Sequence, residues 1–150
     1  MKAKDLTKQV FLSHARGEQE LAAAIAGKLS KQGIQVWNDQ QVTGPADWSR
    51  EVAKALEQSD AMIALLTPHS FSSSYVRSEL EHALFDDRYK HRLLPVLIGA
   101  ESEDFIRLPW ILTRMQVLRL PQAAPTEERA EQVAAAFVKL LRQSDADTKE

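Results

Sequence analysis

Residues 59–84 read SDAMIALLTPHSFSSSYVRSELEHAL, and the reading of this stretch decides the fold. Ser59 and the acidic Asp60 open it, the apolar run Ala61 to Leu66 follows, and Thr67-Pro68 breaks that run into a Ser-rich turn before a helical pattern begins. A continuous apolar run bounded by turn signals marks a strand buried on both faces, which in an α/β domain hands over to a surface helix. Two carboxylates past the turn, Glu79 and Glu81, therefore fall near the carboxyl edge of a sheet. Open parallel sheets hold their ligands outside that edge.

On the N-terminal side, Val10-Phe11-Leu12 is a short apolar strand stopped by Ser13-His14-Ala15-Arg16-Gly17. Leu21, Ile25 and Leu29 recur four apart and predict a helix over 18–32, closed by Gly33. Residues 34–37 form the second strand, residues 38–47 an exposed Gly/Pro/Asp loop, and Trp48, Val52 and Leu56 the stripe of the next helix. On the C-terminal side, Val76, Leu80 and Leu84 predict the inner stripe of a helix reaching about Tyr89. Residues 93–98 are a further strand, in which Pro95 points to a strand start or an edge. An irregular segment centred on Leu108-Pro109-Trp110 leads to a weaker edge strand over 115–120. Pro125, Thr126 and Glu128 introduce the last helix, with Val133, Phe137 and Leu140 inward.

Strands alternating with helices at this spacing imply right-handed crossovers and a three-layer α/β domain. The expected architecture is a five-stranded parallel sheet of order 2-1-3-4-5 covered on both faces. Residues 1–8 read as a flexible lead, 9–143 as the domain, and 144–150 as a fraying polar tail or the start of a linker.

Composition bounds what such a domain does. A chain of 150 residues and 16.9 kDa has the size of one domain. Its 19 basic and 21 acidic residues leave a net charge of -2, which offers no basic face for nucleic acid. Cysteine is absent, which excludes a disulfide framework, a thiolate metal site and a cysteine nucleophile. No long apolar stretch follows the N-terminal lysines, and nothing reaches the run of about 18 apolar residues that spans a bilayer. A cytoplasmic protein that binds neither membrane nor nucleic acid is expected.

Three chemistries common on this fold class fail on the residues. A phosphoacceptor receiver needs a cation-binding aspartate cluster, but the corresponding strand ends carry Ser13-His14-Ala15-Arg16, Thr67-Pro68 and Gly99. A dinucleotide fold needs G-x-G-x-x-G after the first strand, where Gly17 stands alone. The histidines His14, His69, His82 and His91 lack close ligand spacing, so no metal is expected; only His14 and His69 both follow strand ends.

Taken together, the motifs resemble the Toll/interleukin-receptor (TIR) domain family, of the bacterial kind, from Val10 to about Leu141. VFLSHA resembles the first family box, and GIQVWNDQQVTGPADW resembles the second strand and its long loop. SDAMIALLTPHSFSSSYVRSELEHAL resembles the third strand and the W-V/C-x-x-E signature, with Tyr75 where tryptophan is commoner. LLPVLI and LPWIL resemble the later strand and the segment after it. The resemblance implies a flavodoxin-like fold and one of two functions. Many members cleave NAD+ between nicotinamide and ribose, releasing ADP-ribose in linear or cyclic form; others are non-catalytic scaffolds that bind further TIR domains. Bacterial members often serve in antiviral defence or as effectors, with a fused or separate sensor domain.

On that resemblance Glu79 takes the place of the family glutamate. The chemistry suits a lone carboxylate: the pyridinium of NAD+ already carries the positive charge, so nicotinamide departs neutral without an acid. Glu79 would steady the oxocarbenium-like ribose as charge develops. NAD+ is then a substrate, and no separate cofactor is implied. Tyr75, one turn earlier, is a candidate to stack on nicotinamide, and Arg16 a candidate to meet the pyrophosphate. Ser13 and His14 would line the floor and Asp39 would receive a ribose hydroxyl. Gln40, Gln41, Val42, Thr43, Gly44, Pro45 and Ala46 form the expected assembly loop.

Each assignment has a plainer competitor. From pattern alone Glu79 reads first as a solvated helix residue like Glu51 or Glu131, an order that only the family signature reverses, and Glu81 faces away from it by the helical period. Tyr75 and Trp48 read as core-capping rings, Arg16 as a surface partner of Glu18 or Glu20, and Asp39 as a turn former. His69 and His82 read as exposed bystanders.

Overall fold

A computed structural model describes residues 5–14, 16–38, 48–67, 74–99 and 116–148; the side chains of residues 16, 48–49, 74–77 and 146–148 lie outside that description. The assembly loop 40–46, Asp39 and the segment around Pro109 also lie outside it. Among the described residues, β1 (Val10–Ser13), β2 (Val36–Trp37), β3 (Ala61–Leu66), β4 (Leu93–Ile98) and β5 (Leu118–Leu120) form one sheet. All pairings are parallel and the order is β2-β1-β3-β4-β5, as expected. The helices are α1 (Gln19–Lys31), α2 (Trp48–Gln58), α3 (Ser74–Leu84) and α4 (Thr126–Thr148). None of them is long and apolar enough to cross a membrane.

The period of two along each strand sorts the core into two layers. Val10 and Leu12, Ile63 and Leu65, and Leu94, Val96 and Ile98 face α1 and α4, packing with Leu29, Val133 and Phe137. Phe11, Met62, Ala64, Leu66, Leu93 and Leu97 face α2 and α3, packing with Val52, Leu56, Leu80 and Ala83. Because β3 and β4 are covered on both sides, they contain no solvent-facing polar alternation. Their continuous apolar runs follow from that burial.

Pro95 is not at an edge or a strand start: it is the third residue of β4, which pairs with β3 on one side and β5 on the other. The alternation of N–H groups explains why it is tolerated. Met62 N–H donates to the Arg92 carbonyl, and Gly99 N–H donates to Leu120, so odd-numbered positions of β4 turn their nitrogens toward β5. The β5 ladder begins only at Val96 opposite Leu118, so the missing donor of Pro95 falls before it and costs no ladder bond.

Helix α1 ends in a Schellman arrangement. Gly33 N–H reaches Ser30 O, Ile34 N–H reaches Leu29 O, and the side chains of Ile34 and Leu29 share the core. Ile34 is therefore committed to the helix cap, which is why β2 starts at Val36 rather than at 34. Gly33 has φ 83, so Gly33→Ala is expected to lower stability by about 1 kcal/mol, read from the urea midpoint.

Other boundaries also differ from expectation, and β5 begins at Leu118 where a strand over 115–120 was expected. Helix α3 stops at Leu84 instead of near Tyr89, because Asp86 is extended (φ -110, ψ 120) and a 3-10 turn over Asp87–Tyr89 carries the Tyr89 ring into the core. Helix α4 continues through Thr148, with Ser144 buried, so the tail expected to fray from 144 is helical to that point. The lead expected to be loose through Lys8 is held from Leu6 onward beneath the sheet. There Asp60 accepts from Thr7 Oγ1 and from Lys8 N–H at 3.1 Å, while Arg92 donates to the Leu6 carbonyl and, at 3.0 Å, to the Asp60 carbonyl.

The 3-10 turn also closes the end of α2. Arg88 donates to the carbonyls of Leu56 and Glu57, and Tyr89 Oη donates to Leu56 O at 2.6 Å. These are carbonyls that the helix itself leaves without partners. Burial pushes the Tyr89 hydroxyl pKa upward, keeping it a donor, and hydrogen bonds from Arg88 hold the Asp86 carboxyl down at about 2. Tyr89→Phe is expected to cost about 1 kcal/mol in thermal or urea unfolding, the worth of one buried hydrogen bond.

Candidate functional site

In a sheet of this order the chain reverses direction of winding between β1 and β3, and the crevice outside their carboxyl ends is where such folds bind ligands. The described residues that follow the strand ends there are polar and buried. Ser13 ends β1 and His14 follows it; Asn38 follows β2; Thr67 follows β3. Their exposures are 1%, 2%, 7% and 5%. Since β2, β1 and β3 are neighbours, these positions lie side by side along one rim. Polar groups are seldom collected in a core without a structural or chemical reason.

Glu79 completes the group from α3. It is 4% exposed, and its Oε1 accepts a hydrogen bond from Ser13 Oγ at 2.6 Å, between residues 66 apart in sequence. The same alternation that puts Phe11 on the α2/α3 side puts Ser13 there too, facing the helix that carries Glu79. Glu79 is thus unlike the helix carboxylates it was compared with: Glu51 is half-buried, and Glu81 and Glu131 are exposed. Burying an ionisable carboxylate carries a desolvation penalty of several kcal/mol unless hydrogen bonds and charges offset it. A short hydrogen bond from a hydroxyl is one such compensation.

The inner face of α3 is also rotated from the expected stripe. Leu80 and Ala83 are buried with Glu79 beside them, whereas Leu84 is only half-buried. The helix therefore turns Glu79 inward and Glu81 outward.

The remaining candidates are placed in part. Arg16 opens a 3-10 turn (Arg16–Glu18) directly after the end of β1, and Tyr75 lies in the first turn of α3, one turn before Glu79. Trp48 opens α2. Asp39 and residues 40–46 lie outside the described residues, as does His69. His82 is not an exposed bystander: its Nε2 sits 3.4 Å from Asp86 Oδ2 and its ring stands edge-on to Tyr89. Asn38 and Thr67 are the rim residues that pattern reading passed over. Their signal was positional, each being the first polar residue after an apolar strand.

A sequence profile described as TIR domain matches residues 10–135. Among solved structures, the chain is similar to a metazoan TIR-STING receptor from C. gigas in complex with 2',3'-cGAMP, with 21% identity and a TM-score of 0.67, over 86% of this chain and 39% of that one. It is also similar to the TIR domain of the Toll-related receptor TRR-2 from Hydra magnipapillata, with 18% identity and a TM-score of 0.62, over 90% and 95% of the two chains. A diflavin flavoprotein A3 from Nostoc sp. aligns with 15% identity and a TM-score of 0.54, over 93% and 96%. At these identities the likeness is one of fold. The chain spans 39% of the length of the TIR-STING receptor chains. No curated protein sequence matches it.

Proposed function

The chain belongs to the TIR domain family, and we propose that within it this protein is an NAD+ glycohydrolase or cyclase. The observation that carries this reading is the burial of Glu79 at the carboxyl rim of the sheet, held by Ser13. A scaffold needs no carboxylate there, and a buried one has to be compensated by partners.

In the proposed reaction the bond between the nicotinamide nitrogen and ribose C1' breaks, and its electron pair goes to the ring nitrogen. Nicotinamide leaves neutral, and C1' becomes cationic. The Glu79 carboxylate, fixed in a water-poor site, interacts more strongly with that cation than with the ground-state ribose, which is the condition for lowering the barrier. Water then adds at C1' and loses a proton to give ADP-ribose, or the adenine of the same molecule adds and gives the cyclic product. Arg16 is assigned to the pyrophosphate, Tyr75 to the nicotinamide ring and Asp39 to a ribose hydroxyl. Assembly with other TIR domains through residues 40–46, under a fused or separate sensor, supplies the activation, and antiviral defence or effector signalling in the cytoplasm is the setting this reading favours.

The test is nicotinamide release at high protein concentration, with assembly followed by light scattering. Dilution lowers turnover if a neighbouring copy completes the site. Wild type that assembles yet leaves NAD+ intact would leave the protein a TIR–TIR interaction domain in signalling.

A further inference from the structure

We infer that Ser13 is a positioning residue for Glu79 and not a substrate contact; the inference rests on the glycohydrolase reading for its catalytic consequence, but on the structure for the pairing itself. A serine hydroxyl carries one proton, and here that proton is committed to Glu79 Oε1 at 2.6 Å. At 1% exposure, Ser13 has almost no surface to offer a ligand. Its hydroxyl acts on the substrate through the carboxylate it aims.

The surrounding sheet supports that role. On the α2/α3 face, the row Phe11, Met62 and Leu93 is built of large side chains, whereas the next row toward the carboxyl edge is Ser13, Ala64 and Pro95. The change to compact residues occurs at the level where Glu79 meets Ser13. A glutamate has three rotatable side-chain bonds, and a hydroxyl on a strand end that holds Oε1 narrows the orientations open to its carboxylate. A carboxylate held in advance loses no freedom when charge develops beside it, which is the sense in which preorganised groups lower barriers.

Two measurements on the full chain test this. In the first, Ser13→Ala is expected to lower kcat for nicotinamide release by about 10- to 100-fold in the assembled protein, with KM for NAD+ within about threefold, and Ser13→Thr, which keeps the donor, to recover most of the loss. An increase in KM at unchanged kcat would make Ser13 a substrate contact and overturn the inference, as would Ser13→Ala that turns over like wild type. In the second, urea unfolding of Ser13→Ala, Glu79→Met and the double variant reads the pairing without any activity. A coupling of about tenfold in the unfolding constant is expected, and additive effects overturn the inference whatever the kinetics. Coupling in a protein that stays inert when assembled keeps Ser13 as the holder of Glu79 and removes the glycohydrolase reading alone.

Discussion

Glu79→Gln, assembled to the same extent as wild type, is expected to release nicotinamide from NAD+ at least about 10³-fold more slowly, the scale on which a single preorganised electrostatic partner of a transition state is felt. Glutamine matches glutamate in volume, and its amide oxygen can still accept the Ser13 proton. The substitution removes the negative charge while keeping the volume. The folded state is expected to keep a stability close to that of wild type, because a neutral amide escapes the desolvation penalty of a carboxylate 4% exposed while giving up the charged share of its contacts. Loss of turnover together with urea resistance close to that of wild type is the signature of a residue retained for chemistry. Loss of turnover with loss of stability would instead make Glu79 a structural partner of Ser13. Unchanged turnover would remove Glu79 from the reaction.

That Glu79 could be singled out at all depended on family resemblance more than on periodicity. The helical pattern pointed to Val76, Leu80 and Leu84 as the inner stripe, which left Glu79 at its margin. Among the described residues the inner face includes Glu79, Leu80 and Ala83, and the partner that Glu79 meets there, Ser13, lies 66 residues away, where no local window contains it. The strands were legible because β3 and β4 are buried on both faces and so write their burial into continuous apolar runs. The first helix was legible because Leu21, Ile25 and Leu29 all face one layer and Gly33 closes it. Two of the misread boundaries trace to long-range polar contact. The end of α3 is set by the inward turn at Tyr89 and its bond to α2, and the holding of Leu6 to Lys8 by Asp60 and Arg92. Pro95 was misjudged for a related reason: only the neighbouring strands show which side of β4 a given nitrogen faces.

Phe137→Ala is expected to destabilise the protein by about 3–5 kcal/mol, measured from the urea midpoint and its slope. Phe137 is fully buried on α4, in the layer with Leu12, Ile63 and Val96, so truncation removes a large apolar contact and leaves a cavity bounded by a sheet that cannot collapse into it. Against a total stability of about 5–15 kcal/mol for a typical domain, that is a large fraction. At about 2–4 °C per kcal/mol for a domain of this size, the melting point is expected to fall by roughly 10 °C. A loss below about 1 kcal/mol would mean that α4 does not pack as described. The cavity opens on the α1/α4 side of the sheet, whereas Ser13 and Glu79 meet on the other side. Nicotinamide release per folded molecule is accordingly expected to stay within about threefold of wild type at temperatures below the new transition, since sites on opposite layers with no shared partner act nearly independently. Phe137→Ala and Glu79→Gln should therefore move in opposite directions on the two axes, the first losing stability while keeping turnover and the second losing turnover while keeping stability.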